Sequence, residues 1–200
     1  MVKKQSNSFM SCDGKTSIHV VMWRPDENEY DKPVAVLQIS HGMIEYIDRY
    51  DGFARFMADR GFVVVGNDHL GHGESVCSDD DLGFFKDEHP GEALAKDVHH
   101  LTVLTKKMYP GIPYYLLGHS MGSFVTRKYI CDYGYELDGV IIMGTGHQPT
   151  PMVLAGKALA DITRFIKGDR YRSRLISKIM FGAYNTVSYT HLRAHETSLH

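Results

Sequence analysis

Residues 112–134 read IPYYLLGHSMGSFVTRKYICDYG, and this stretch decides the fold. Its first six residues are apolar or aromatic with no polar break, as expected of a strand that is buried on both faces of a parallel sheet. The residues after the glycines have helical spacing, with apolar side chains on one face. These are Phe124, Val125, Tyr129 and Ile130, and the helix is expected to end near Gly134. The sequence therefore predicts a strand that turns directly into a helix.

The predicted turn carries the motif Gly118-His119-Ser120-Met121-Gly122. Gly118 and Gly122 keep side-chain bulk out of a sharp turn, which would lift the Ser120 hydroxyl into a cleft as a nucleophile. A glycine-rich loop with an incidental serine is the alternative interpretation. His119 belongs to the motif, but its place beside Ser120 on the turn directs it away from the serine oxygen. It is therefore not predicted to be the base.

A serine nucleophile also needs N–H donors for the oxyanion that forms when it attacks a carbonyl. Residues 33–40 predict an earlier buried strand, which leads directly into His41 and Gly42. Gly42 lets the backbone fold close to the site. The backbone N–H groups of Met43 and Met121 are therefore the two candidate oxyanion donors. A plain strand-ending turn at His41 and Gly42 is the alternative.

Three separated blocks of sequence together resemble a known family. They are HGMIE at residues 41–45, NDHLGHGES at residues 67–75 and GHSMG at residues 118–122. In the order and spacing of these blocks, the chain resembles α/β-hydrolases of the monoacylglycerol lipase and lysophospholipase group, also called the serine aminopeptidase S33 type. The resemblance covers residues 8–185. Tyr46 stands where many relatives have histidine, and Ser123 where a third glycine is common.

The coarse pattern of the chain agrees independently with an α/β fold. Residues 9–23 predict a hairpin around Asp13-Gly14, and strands alternate with helices from there to residue 143. Such alternation favours right-handed crossovers and a mostly parallel sheet flanked by helices, with sites at the carboxyl ends of the strands. The resemblance implies that residues 8–147 form the N-terminal part of an α/β-hydrolase core.

Residues 148–185 differ in composition from the rest and predict two helical stretches. The resemblance implies that they form part of a helical cap, which roofs an acyl pocket. The segment is basic within an otherwise acidic chain, and its cations include Arg164, Lys167, Arg170, Arg172 and Arg174. A solvated helix face is one explanation for these charges. Transient attraction to an anionic membrane surface or head group is the other.

The acid and the base of a serine hydrolase are not identified in this chain. In α/β-hydrolases the chain order is serine, then acid, then histidine. The aspartates after Ser120 are expected inside a helix, before a strand or within the cap, and they are Asp132, Asp138, Asp161 and Asp169. Residues 186–200 match no element that the fold still needs and are predicted to be a non-native or disordered tail. The chain is therefore expected to be C-terminally truncated, without the final strands, the acid and the base.

Composition limits the other functions of the chain. Its 200 residues suffice for one domain. Its net charge of −2 shows none of the excess positive charge that is typical of nucleic-acid-binding proteins. Three scattered cysteines suit reduced thiols and no signal peptide is recognised, so a cytoplasmic location is expected. His69 and His72 beside Asp68 could be metal ligands, but the resemblance already explains this glycine-rich loop. No metal and no cofactor are therefore predicted.

The resemblance implies a serine hydrolase of carboxylic esters, with a monoacylglycerol or a lysophospholipid as the small lipid ester substrate. A peptidase or a thioesterase is the alternative within the same fold, whereas an epoxide hydrolase would need an aspartate nucleophile. A non-catalytic protein, either a truncated fragment or an interaction module, is a second class that stays open, because the fold alone does not determine function.

Overall fold

A computed structural model of the chain describes residues 1–85, 90–147, 149–171, 173–176 and 178. The chain divides into two compact units, Met1–Gly146 and His147–His200. The strands are β1 (Lys3–Met10), β2 (Ser17–Arg24), β3 (Ala35–Ser40), β4 (Phe62–Asn67), β5 (Tyr114–His119) and β6 (Gly139–Met143). The α-helices are α1 (Asp51–Ala58), α2 (Pro90–Met108), α3 (Met121–Tyr133) and α4 (Thr150–Lys167). Short 3₁₀ turns occupy Ile47–Tyr50, Asp79–Asp81 and Gly134–Glu136.

The six strands in the described part of the first unit form one sheet in the order β1-β2-β4-β3-β5-β6. β1 pairs with β2, and β2 with β4, in antiparallel orientation. The pairs β4 with β3, β3 with β5 and β5 with β6 are parallel. Since α-helices link the parallel strands, this sheet confirms the predicted α/β class with a mostly parallel sheet flanked by helices.

Helices cover both faces of the sheet because successive side chains of a buried strand point to opposite faces. On one face, Leu37 and Ile39 of β3 share an apolar cluster with Ala54 and Ala58 of α1. On the other face, Leu116 of β5 packs in a cluster with residues of α2 and α3, including Val98 and Val125. Val36, the neighbour of Leu37, joins a third cluster together with Leu101 of α2. The strands that carry the site are therefore held in the centre of the core.

The N-terminal hairpin is longer than the predicted residues 9–23. β1 begins at Lys3, which pairs with Arg24 of β2. Nearly all of β1 is exposed, and its first six residues are polar, so they lack the apolar alternation that marks a half-buried strand. The turn forms at the predicted Asp13-Gly14 dipeptide, where Gly14 has a φ of 68°.

β6 lies at an edge of the sheet and, in the described part of the chain, pairs only with β5. Its apolar side chains are partly open to solvent, with relative exposures of 44% for Ile141, 39% for Ile142 and 48% for Met143. β6 therefore presents an open, apolar edge.

In the second unit, α4 corresponds to the first of the two helical stretches predicted for residues 148–185. The second predicted stretch lies partly outside the described residues, and the predicted tail at residues 186–200 lies entirely outside them. No helix among the described residues is both long enough and apolar enough to cross a membrane.

Candidate active site

The candidate site forms where β3 and β5 end side by side. These strands are parallel neighbours, and Ser40 at the end of β3 is in register with Gly118 of β5. The two predicted motifs, which begin at His41 and Gly118, therefore both lie at the carboxyl ends of these strands. Open parallel sheets bind ligands at the carboxyl ends of their strands.

Ser120 lies on a strained turn between β5 and α3. It is the N-cap residue of α3, with φ 52° and ψ −116°. Only one other described residue besides glycine, Ile44, has a positive φ. Such a backbone costs about 1–3 kcal/mol and persists only where the surroundings hold it. One support is the Ser120 N–H, which donates to the Met143 carbonyl at 2.9 Å.

The two motif glycines lie where a side chain cannot fit. A Cβ added at Gly118 would lie 2.5 Å from the Gly122 carbonyl oxygen. A Cβ added at Gly122 would lie 2.5 Å from the Ser40 carbonyl carbon and 2.6 Å from the His41 oxygen. Gly122 thus lets the start of α3 approach the end of β3, which brings the two motifs into contact.

The loop after β3 reaches the serine at Gly42. A Cβ added there would lie 3.1 Å from the Ser120 Cβ, so the backbone of this loop lies directly beside the candidate nucleophile. The Gly42 N–H donates to Glu45 Oε1. Ile44, two residues after Gly42, is the other described non-glycine residue with a positive φ, at 59°. The loop therefore places the peptide between Gly42 and Met43 next to Ser120.

His41 holds this loop through both of its ring nitrogens. Nδ1 lies 2.7 Å from the Gly42 carbonyl oxygen, which can only accept, so Nδ1 carries the proton. Nε2 accepts the His69 backbone N–H at 2.9 Å. A trans peptide is planar, with its C=O and N–H pointing in opposite directions. By holding the Gly42 carbonyl, His41 therefore fixes the direction of the Met43 N–H.

Three buried histidines cluster behind the loop. The ring centroids of His41 and His69 are 4.4 Å apart, and those of His41 and His72 are 5.5 Å apart. Burial lowers the pKa of His41 to about 4, and it also lowers the pKa values of His69 and His72. All three imidazoles are therefore neutral at neutral pH.

Acid is expected to destabilise the first unit through this cluster. The pKa of His41 falls from 6.5 when unfolded to about 4 when folded, so the unfolded chain binds more protons between these values. The contribution of neutral, buried His41 to the free energy of unfolding is fully present above pH 6.5, and it is lost progressively as the pH drops towards 4. For His41 alone, the free energy of unfolding should be about 2 kcal/mol lower at pH 5 than at pH 7. Urea denaturation at the two pH values measures this difference. The difference between the two pH values should be smaller in His41→Gln. Equal stability of the wild type at pH 5 and pH 7 would contradict the prediction.

A cavity of about 360 Å³ is lined in part by Glu45 and His119, the hydrogen-bonded pair that joins the two motifs. Its walls are formed by Glu45, Arg49, Tyr50, Phe53, Leu117, His119 and Met143. Glu45 Oε1 accepts from Tyr50 OH at 2.9 Å and from His119 Nδ1 at 3.1 Å. Burial by itself would raise the pKa of Glu45, but the hydrogen bonds from His119, the Gly42 N–H and Tyr50 together lower it. The cavity is therefore lined by an ionised carboxylate, a guanidinium and several apolar side chains.

The loop at residues 67–75 is occupied by structural hydrogen bonds. Asp68 accepts the Ile47 N–H at 2.7 Å and the Glu74 N–H at 2.8 Å. His72 Nδ1 lies 3.2 Å from the Leu70 carbonyl oxygen, to which it donates. Within the described ranges, no group of three His, Cys, Asp or Glu side chains is arranged to hold a metal ion. These hydrogen bonds tie residues 67–75 to the start of the 3₁₀ turn at Ile47.

The aspartates that follow Ser120 in the first unit are engaged away from it. Asp132 pairs with Lys128 on the outer turns of α3 at 2.8 Å. Asp138 Oδ2 accepts the Tyr114 N–H at 2.7 Å, at the end of β5 opposite to Ser120. Asp161 and Asp169 belong to the second unit. The absence of a triad acid and base from this chain stays a prediction.

Sequence reasoning did not assign a role to Arg49, Tyr50 or Ile44. Arg49 and Tyr50 lie in a short 3₁₀ turn outside the three motif blocks, so no local pattern marks them. The strain at Ile44 has no sequence signal either, because a β-branched residue is unexpected at positive φ. Glu45 lies inside a motif block. Its carboxylate follows Gly42 by three residues, and this spacing was the available sign that it could accept the Gly42 N–H.

Comparison with known proteins gives consistent matches. The family profile described as serine aminopeptidase, S33, matches residues 31–191. A monoglyceride lipase homolog of monkeypox virus is 33% identical over 153 residues, which are 73% of this chain and 51% of that protein. The monoglyceride lipase of Homo sapiens is 30% identical over 133 residues, which are 66% of this chain and 39% of that protein. The chain thus spans about half the length, or less, of these curated relatives.

A solved structure adds a match in three dimensions. It is a highly thermostable carboxyl esterase from Bacillus coagulans in complex with glycerol. Its TM-score is 0.71 and its sequence identity is 31%, with 82% of this chain and 52% of that chain covered. The likeness therefore extends over most of the chain described above.

Proposed function

Because the chain belongs to the serine aminopeptidase S33 family of α/β-hydrolases, we propose that it supplies the nucleophile and the oxyanion donors of a serine hydrolase that cleaves carboxylic esters. The observation that carries the proposal is the strained backbone of Ser120, at φ 52°, in contact with the Gly42 loop. Strain of this kind is typical of a functional site, where it holds a side chain ready for reaction.

Ser120 Oγ would attack the ester carbonyl, and the negative charge that develops on the carbonyl oxygen needs N–H donors. Met121 is the first residue of α3, so its N–H has no acceptor within the helix. The Met43 N–H is directed by the bond from His41 to the Gly42 carbonyl. These two N–H groups flank Ser120 from the two motifs, which supports their assignment as the oxyanion hole.

The cavity lined by His119, the residue before Ser120 in the chain, suits an ester of a small polyhydroxy alcohol. Glu45 and Arg49 offer an acceptor and a donor for hydroxyl groups, while Phe53 and Leu117 provide an apolar wall. The monoglyceride lipases among the relatives, and the glycerol in the esterase structure, support a glycerol ester. We therefore infer a monoacylglycerol as the substrate, with a lysophospholipid as the second candidate.

A panel of substrates tests this assignment. The full-length protein should hydrolyse a monoacylglycerol faster than a lysophospholipid with the same acyl chain, and both faster than an aminoacyl p-nitroanilide or an acyl thioester. The reason is that a monoacylglycerol offers two free glycerol hydroxyls to Glu45 and Arg49, a lysophospholipid offers one, and the anilide and the thioester offer none. A preference for the anilide would favour a peptidase, and a preference for the thioester a thioesterase.

We propose that the general base and its carboxylate partner come from outside the first unit. His41 is committed through both ring nitrogens, and His119 Nδ1 lies 3.1 Å from Glu45 Oε1. A serine without a base is a weak nucleophile. Covalent modification of Ser120 by a fluorophosphonate should therefore require residues other than Met1–Gly146, and equal labelling of a protein limited to those residues would contradict this.

The cationic α4 supports a second, finer proposal, namely that residues 148–185 begin a cap that touches anionic lipid. None of its residues is buried, and Phe165 and Ile166 are exposed beside Arg164 and Lys167. Exposed apolar side chains next to cations are typical of helices at a lipid interface. Lys157→Gln combined with Lys167→Gln should weaken binding to phosphatidylglycerol vesicles at low salt, and unchanged binding would contradict the proposal.

We also propose a cytoplasmic location. The three cysteines, Cys12, Cys77 and Cys131, are free and exposed, which suits a reducing compartment. Cell fractionation with an antibody to the protein tests this, and recovery outside the cytoplasm would contradict it.

A further inference from the structure

Ser123 makes an unusual pair of hydrogen bonds at the start of α3. It is the third residue of the helix and is fully buried. Its Oγ–H donates to the Ser120 carbonyl oxygen at 2.5 Å, and its backbone N–H donates to the same oxygen at 2.9 Å. The carbonyl of the candidate nucleophile is therefore held by two donors from a single residue.

This carbonyl shares a peptide plane with the Met121 N–H. Because the peptide is planar and trans, the Ser120 C=O and the Met121 N–H point in opposite directions. Any rotation of the peptide that moves the oxygen away from Ser123 also turns the N–H away from its present direction. A donor on the carbonyl also polarises the peptide and strengthens its N–H as a donor.

The strain at Ser120 explains why the following peptide needs to be held in place. The turn has φ 52° and ψ −116°, and relaxation of ψ would rotate the peptide that follows. The bond from the Ser123 N–H belongs to the backbone, and any residue except proline would retain it at this position. The hydroxyl is the additional contact, and it depends on serine at position 123.

The second candidate oxyanion peptide is held in the same way. His41 Nδ1–H donates to the Gly42 carbonyl at 2.7 Å, and this fixes the Met43 N–H on the other side of Ser120. Both peptides are thus anchored at their carbonyl oxygens by buried side chains, which fixes the direction of their N–H groups. His41 and Ser123 come from different motifs, so the two anchors are independent.

We propose that Ser123 is a positioning residue that fixes and polarises the Met121 N–H of the oxyanion hole through the Ser120 carbonyl. The inference rests on the proposed function, since it needs Met121 to be an oxyanion donor. It assigns a role to the position where this sequence departs from the third glycine of its relatives.

The test compares Ser123→Ala with Thr105→Val in the full-length protein. Thr105 is buried on α2, and its hydroxyl donates to the Leu101 carbonyl at 2.8 Å. Thr105→Val thus removes the same kind of bond from a helix that carries no oxyanion donor. Loss of a whole oxyanion donor lowers kcat about 100- to 1,000-fold, so a donor that is present but badly directed should cost about tenfold. Ser123→Ala should lower kcat by this factor with KM unchanged, and Thr105→Val should leave kcat unchanged.

Two further measurements separate positioning from simple helix stability. The ¹³C carbonyl resonance of Ser120 should shift in Ser123→Ala and stay in place in Thr105→Val, because it reports the hydrogen bond directly. Ser123→Cys keeps a weaker donor of similar size and should give a kcat between those of the wild type and Ser123→Ala. Urea denaturation verifies that each variant is folded under the assay conditions.

The outcomes distinguish this inference from the function on which it rests. An unchanged kcat in folded Ser123→Ala, or an equal fall in Thr105→Val, would overturn the positioning role. A rise in KM with kcat unchanged would also overturn it, because that pattern indicates lost ground-state binding. Persistence of full activity in Ser120→Ala would instead overturn the proposed nucleophile.

Discussion

Ser120→Ala is expected to lower ester hydrolysis by the full-length protein by about 10⁴-fold or more, the range found when the nucleophile of a serine hydrolase is removed. The fold should be retained, since alanine keeps the Cβ and is no more strained than serine at φ 52°. The hydroxyl is the only group removed. Initial rates of monoacylglycerol hydrolysis measure the effect, and urea denaturation measures the stability of the variant.

Covalent labelling gives an independent readout of the same change. A fluorophosphonate probe should modify the wild type on the peptide that contains Ser120 and should not modify Ser120→Ala. Ser78→Ala is the matched control, because Ser78 is an exposed serine outside the site and its hydroxyl donates to Asp81. Equal labelling of Ser120→Ala and Ser78→Ala would show that another residue is the nucleophile.

Gly122→Ala is expected to destabilise the first unit by about 3 kcal/mol, near the upper end of the usual cost of overpacking. The new Cβ would meet backbone atoms of Ser40 and His41, with 2.6 Å to the His41 oxygen. Backbone cannot rotate aside as a side chain can, so α3 would have to move away from β3. Activity should fall with stability, because the same movement separates Met121 from Met43. The free energy of unfolding in urea measures the effect.

Gly52→Ala is the matched control for this substitution. Gly52 lies in α1, and a Cβ added there meets no atom within 4 Å. Alanine is the better helix former, so this variant should be unchanged or more stable by up to about 1 kcal/mol. Equal stability of Gly122→Ala and Gly52→Ala would contradict the close packing of α3 against β3.

The sequence predicted the parts of the site that depend on local pattern. The apolar run before Gly118 and the helical spacing after Gly122 place the serine at a strand-to-helix turn without any knowledge of tertiary contacts. The Asp13-Gly14 turn was found for the same reason. Resemblance to a family added the second motif and the order of the elements.

The parts that were not predicted depend on contacts between distant segments. Gln38 is a polar residue in the middle of an apolar strand, and nothing nearby in the sequence indicates its partners. In the structure its side chain donates to the Val98 carbonyl at 2.9 Å and accepts from Thr102 at 2.8 Å, both on α2. The bond of His119 to Glu45 likewise joins two separate motifs. Sequence spacing cannot reveal pairs of this kind, because they arise only when the sheet and its helices have packed.

The pairing of β3 with β5 also determines when the site forms and how long it lasts. Ser40 and Gly118 are far apart in the chain but adjacent in the sheet, so their parallel pairing is a non-local and therefore slow step of folding. The site cannot exist before this step is complete. In the folded protein, the strand ends from which Ser120 and the Gly42 loop emerge can separate only if the central strands open. Amide hydrogens of buried residues such as Ile39 and Leu117 are then expected to exchange only through global unfolding, so that the reactive arrangement is as durable as the domain that carries it.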